Sequence, residues 1–280
     1  MKPLSAMPVA IRAKIRGVFT DIDDTITTEG RLPAAAYAAL ERLSDAGLAI
    51  VPITGRPAGW CDMVARFWPV AGVVGENGAF YFSYEHAQRR MIRRFMLDAT
   101  ERADGRKRLE RVAQQVLVKV PGAAVASDQL YRESDLAIDF CEDVPALSKE
   151  SVDRIVDIFN EAGATAKVSS IHVNGWFGSY DKLSMTRLFA EEILGLDLER
   201  HRDCFVYCGD SPNDAPMFGF FPNACGVANV RDFVGRIDAL PAYISDSRGG
   251  AGFVEIANMI LDARSAVLSV HPGLSVHKQQ

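Results

Sequence analysis

The chain has 280 residues, 48% hydrophobic and 24% charged, with a formal net charge of −5. That length supports one large domain or two smaller ones, and the acidic balance disfavours a nucleic-acid partner, which is met by basic surfaces. No apolar run approaches the roughly 20 residues of a membrane-spanning helix, and MKPLSAMPVAIRAKIR lacks a secretory core; five cysteines without metal spacing read as free thiols of a soluble cytoplasmic protein, monomer or homodimer.

In chain order, IRGVFTDI reads as a buried strand and LPAAAYAALERLSDAG as a helix stopped by Gly47. LAIVPITG is a second strand, RPAGWCDMVARFW a second helix opened by Pro57, and VAGVVGENGA a third strand. Met63, Phe67 and Trp68 are expected in the core. AFYFSYE and RRMIRRFML read as an antiparallel pair, followed by the helix TERADGRKRLERVAQQVLVKV. Two short strands, AAVASD and DLAIDFCE, precede the helix SKESVDRIVDIFNEAG, and AKVSSIHVN closes this block as one strand. From residue 178 the first pattern returns with KLSMTRLFAEEILG, CFVYCGD, APMFGFF, ACGVAN, AYISD and GFVEIANMILDA. The tail SVHPGLSVHKQQ reads as loosely ordered. Strands alternating with helices imply a parallel sheet covered on both faces. The expected fold is α/β: a doubly wound parallel-sheet core of residues 1–83 and 177–280, with a smaller, mostly antiparallel α/β domain inserted at 84–176.

Ligands of open α/β sheets bind beyond the carboxyl ends of the strands. Asp21 and Asp23, Thr54 and Asp210 all fall at such ends. Carboxylates gathered in one place need shared protons or a cation, and an all-oxygen set suits magnesium, which would also draw a phosphate. Residues two apart on an extended segment point the same way, so Asp21 and Asp23 face one ligand while Asp24 turns elsewhere. One carboxylate can attack phosphorus and the other exchange protons with the leaving oxygen and water. Thr54, the backbone of Gly55 and a helix-start lysine, Lys182, can hold the phosphoryl oxygens.

DIDDT, ITGR, YDK and GDSPND, in this order, resemble the four motifs of the haloacid dehalogenase-like superfamily of phosphotransferases. The insert between the second and third motifs resembles that of the large-cap subgroup, and ENGA its marker. Within that subgroup the chain is similar to sucrose-phosphate and mannosyl-phosphoglycerate phosphatases and to phosphomannomutases. The resemblance implies a Rossmann-like core and an Mg2+-dependent phosphatase acting on a small phosphorylated metabolite, expected to be a sugar phosphate, through an aspartyl-phosphate. Asp21 is then nucleophile and metal ligand, and Asp23 the acid/base, lending the metal its carbonyl. Thr54 and Lys182 hold the phosphoryl group. Asp210 completes the metal set, with Asp214 and Asn213 supporting it. The alternatives are a phosphomutase, which shares all four motifs, and a non-catalytic phosphate-responsive module.

Substrate contacts are sought at the insert. Arg56, Arg132, His172, Asn174 and Trp176 are candidates, with packing of the interdomain seam as the other reading of His172 and Trp176. The basic run Arg89, Arg90, Arg93, Arg94, Arg106, Lys107, Arg108 and Arg111 reads as a solvated face.

Overall fold

The computed structural model describes residues 1–270, with side chains to residue 264. Its first part runs β1 (Lys2–Pro3), α1 (Val9–Arg12), β2 (Gly17–Thr20), α2 (Ala34–Asp45), β3 (Ala49–Pro52), α3 (Ala58–Phe67) and β4 (Val73–Gly75). Next come β5 (Phe80–Glu85), β6 (Arg90–Phe95), α4 (Ala99–Lys119), β7 (Ala124–Val125), β8 (Leu136–Asp139), α5 (Lys149–Glu161), β9 (Thr165–Val168) and β10 (His172–Trp176). The last part is α6 (Lys182–Glu192), α7 (Leu198–His201), β11 (Phe205–Gly209), α8 (Ala215–Phe220), β12 (Cys225–Gly226), β13 (Tyr243–Ile244) and α9 (Gly249–Val270).

The first layer is a parallel sheet in the order β1-β13-β12-β11-β2-β3, continued towards β4 by a parallel bridge between Ile53 and Val74. Successive strand residues enter opposite cores, as the pleat requires. Val18, Ile50 and Val206 pack with Leu40 and Phe253 on one face, whereas Phe19, Val51 and Tyr207 pack with Phe189 and Phe218 on the other. Burial on both faces explains why these strands read as unbroken apolar runs. The edge strand β1 gave no sequence signal, being two exposed residues long.

The second layer is an antiparallel sheet, β7-β8-β10-β9, whose apolar core joins Val112 and Val116 of α4 with Ile155 and Phe159 of α5. Helix α4 starts at a capping box between Asp98 and Glu101. AKVSSIHVN is two strands rather than one, because Ser169 turns the chain: its Oγ accepts from the backbone of Ile171 and His172 and donates to the His172 carbonyl. The hairpin β5–β6 pairs with β4 in a third, antiparallel sheet.

On α3 the buried face is Ala58, Cys61, Val64 and Ala65, and partly buried Trp68 packs below it. Met63 and Phe67 are 42% and 74% exposed, so the expectation that they belong to the core is corrected: they fall on the opposite side of the helix. The eight cations of the basic run are exposed, and Arg93 and Arg94 pair with Asp62 and Glu192. No described helix is long and apolar enough to cross a membrane. Residues 271–280 of the expected loose tail lie outside the described residues.

Phe159 is fully buried, and its ring lies where a Cβ on Gly175 would stand, 2.1 Å away. Phe159→Ala is therefore expected to lower unfolding stability by about 3–5 kcal/mol in denaturant titration. Phe67→Ala, on the exposed face of α3, is expected to stay within about 0.5 kcal/mol of the parent.

Candidate active site

The carboxyl ends of β2, β3 and β11 lie side by side, with Thr20 in register with Pro52 and Cys208. Just beyond, the Asp21 amide donates to the Cys208 carbonyl and the Ile53 amide to that of Thr20. Asp21, Thr54 and Asp210 therefore emerge next to one another. Lys182 arrives from the start of α6, where Asp181 forms a capping box with Ser184. Gly78, at φ +104°, allows this approach, since a Cβ there would meet the Asp181 carbonyl oxygen at 2.0 Å.

The buried ammonium of Lys182 lies 2.9 Å from Asp21 Oδ1 and 2.8 Å from Asp214 Oδ1. Asp214 Oδ1 also accepts from the Tyr207 hydroxyl, and its Oδ2 from the amides of Asp210 and Ser211. A Cβ on Gly209 would stand 2.5 Å from that Oδ2, so glycine ends β11. Asp21, Asp210 and Asp214, all buried, bring carboxylate oxygens within 4.8 Å of one another. Fully ionised, three acids against one ammonium would leave two negative charges in excess, and a divalent cation fits that excess and an all-oxygen donor set. Protonation reflects the crowding. Burial pushes the Asp21 carboxyl up to about 7, Lys182 opposing and Asp214 and Asp23 adding. Burial, then Asp214 and Asp21, push Asp210 well above the carboxylate range. Burial disfavours the charged Lys182, but the two acids more than offset it and raise its pKa.

The carboxylate of Asp23 is outside this cluster and turned to Arg56, at 2.9–3.1 Å. Arg56 also reaches Glu142 at 2.9 Å and lies over the Trp60 ring. Its amide donates to Thr54 Oγ1, and the Thr54 hydroxyl donates to no acceptor among the described residues. A small cavity of about 20 Å³ is lined by Asp21, Asp23, Gly55, Arg56, His172, Asn174, Ser211 and Asn213 among others. Asp24, at φ +55°, lines a neighbouring cavity instead.

The two layers are sewn together beside this cavity. The buried Glu76 carboxylate accepts from the amide of Ala58 in α3 and from those of Glu133, Ser134 and Asp135. Arg132 donates to the Gly55 carbonyl and pairs with Asp128 and Asp135. It is thus part of the seam and does not line the cavity. Trp176 is also there, stacked on Tyr180 with its indole nitrogen bonded to the Tyr180 carbonyl; of its two readings, the structure has the packing one. Asn174 both lines the cavity and donates to Asp135. Sequence reading missed Glu142, Asp128 and Tyr207. Tyr207 had a signal, a phenol three residues before Asp210 in an apolar strand. Glu142 had none, its partner Arg56 being 86 positions away.

No protein-family model matches the chain. A phosphoglycolate phosphatase of Methanospirillum hungatei is 30% identical over 256 residues, covering 88% of this chain and 96% of that protein. Among solved structures, a Thermoplasma acidophilum protein superposes with a TM-score of 0.67 at 18% identity, over 89% of this chain and 99% of that one. A haloacid dehalogenase-like hydrolase from Bacteroides thetaiotaomicron gives 0.60 at 14% identity, over 88% and 99%. With its parallel core, separate antiparallel sheet and buried acid–lysine cluster, the chain belongs to the haloacid dehalogenase-like superfamily and is a phosphoric monoester hydrolase acting on a small phosphorylated molecule.

Proposed function

We propose that the protein is a magnesium-dependent phosphatase that works through an aspartyl-phosphate on Asp21. One observation carries this: Lys182 grips one oxygen of Asp21, the other accepts no hydrogen bond among the described residues, and the pair sits in an acidic cluster beside a polar cavity. The ungripped oxygen forms the bond to phosphorus as the bond to the leaving oxygen breaks, and Asp23 gives that oxygen its proton. Asp23 then takes a proton from the water that releases phosphate. Arg56 fixes Asp23 in place with its Nε and Nη2. Thr54, the Gly55 amide, Lys182 and Asn213 hold the phosphoryl oxygens. Asp21, Asp210 and the Asp23 carbonyl would hold the metal, Asp214 supporting; when bound, it supplies the positive charge that lets an anionic ester approach an anionic nucleophile.

The inserted segment 84–176 acts in this reading as a cap that excludes water and selects substrate. The substrate is a small phosphorylated metabolite, with two first candidates: the sugar phosphate expected from the sequence motifs, and the phosphoglycolate for which the Methanospirillum relative is named. Five free cysteines support a cytoplasmic setting.

Asp21→Asn is expected to cut phosphate release by about a thousandfold or more with an unchanged circular dichroism spectrum; full activity would contradict the mechanism. Magnesium is expected to raise the melting temperature, and a chelator to abolish turnover until magnesium is restored. Asp210→Asn, which removes an acid whose ionisation burial and its neighbours oppose, should stabilise the metal-free protein by roughly 1 kcal/mol and lose most of the magnesium-dependent shift. A magnesium shift of full size in that variant would place the ion elsewhere.

A further inference from the structure

The guanidinium of Arg56 meets acids along two edges. Nε and Nη2 take Asp23, while Nη1 and Nη2 face the carboxylate of Glu142 end-on, at 3.5 and 2.9 Å. Asp128 lies 3.7 Å from Nη1. Of these three acids, Asp23 stands beside Asp21 and Asp128 is tied to Arg132. Glu142 has neither attachment. It comes from the segment between β8 and α5, its amide is pinned to Asp139, and its side chain is 29% exposed.

His172 approaches the same carboxylate. Its Nε2 lies 2.9 Å from Glu142 Oε2 without the alignment of a hydrogen bond, and its ring is 3% exposed. Arg56 and His172 both wall the cavity that holds Asp21 and Asp23, so Glu142 is held by groups that face that cavity. That cavity, about 20 Å³, offers roughly the space of one water. Next to it a cavity of about 250 Å³, lined by Asp24, Glu29, Cys141, Glu142 and Ser170, leaves room for Glu142 to withdraw.

We propose that Arg56 and His172 form a subsite for a carboxylate carried by the substrate, and that Glu142 fills this subsite until the substrate displaces it. The inference rests on the phosphatase reading and narrows its substrate to a phosphorylated hydroxy acid. Charge decides between exchange and addition. A substrate carboxylate entering beside Glu142 would put a fourth acid on one guanidinium; entering in its place, it leaves the count unchanged. The planar end-on edge of a guanidinium fits a carboxylate's two oxygens, whereas a neutral hydroxyl brings no charge with which to displace Glu142.

The test is steady-state hydrolysis by the full chain with magnesium, comparing phosphoglycolate with 2-hydroxyethyl phosphate, a similar ester without the carboxylate. The parent protein should prefer phosphoglycolate in kcat/KM. Glu142→Gln, which removes the competing anion, should raise that preference about tenfold, and His172→Gln should lower it about tenfold; Glu142→Ala should move it in the same direction as Glu142→Gln. Equal effects on both esters, or a preference for the neutral one, would overturn the subsite while leaving the phosphatase reading intact. No hydrolysis of these or of sugar phosphates would overturn both.

Discussion

Everything at this site depends on one buried ammonium. Lys182 lies between Asp21 and Asp214, and each element around it is arranged to keep it there. Helix α6 begins at a capped Asp181, Gly78 lets the chain close on that cap, and Gly209 makes room for Asp214 against the end of β11. Removing one partner of a buried charge pair costs about 3–5 kcal/mol, because the other is left uncompensated. The same ammonium keeps Asp21 oriented, drawing on one of its oxygens only. Its charge is too small for three ionised acids, and in the proposed mechanism that deficit is what would draw a divalent ion and, through it, a phosphate.

The two layers meet around this cluster through polar contacts. Glu76 takes four amides from both sides of the seam, and Arg132 reaches across to the Gly55 carbonyl. Gly55 is itself part of the cavity wall, so the residue that Arg132 holds is also the covalent neighbour of Thr54 and Arg56. The position of the antiparallel layer is thereby transmitted to the backbone that would hold a phosphoryl group. Glu142 adds a second link, from that layer to Arg56 and on to Asp23.

Much of this was legible in the sequence because it is local. The unbroken apolar runs before Asp21, Thr54 and Asp210 are what a strand buried on both faces requires, and the polar residue that ends each run marks one edge of the sheet. The hairpin of β9 and β10 was hidden because its turn is made by the side chain of Ser169, within a segment that otherwise reads as continuous. The exposed positions of Met63 and Phe67 were hidden because α3 is apolar on more than its buried face. The contacts of Glu142 with Arg56, and of Glu76 with the amides of residues 133–135, join residues more than fifty positions apart, and no spacing rule reaches that far.

Passage of phosphorus through Asp21 can be caught by mass spectrometry of protein quenched in acid during turnover. A transient phosphoryl adduct is expected on the peptide that contains Asp21, formed with magnesium and substrate and lost when substrate is exhausted. An adduct on another residue, or none while phosphate is being released, would contradict it.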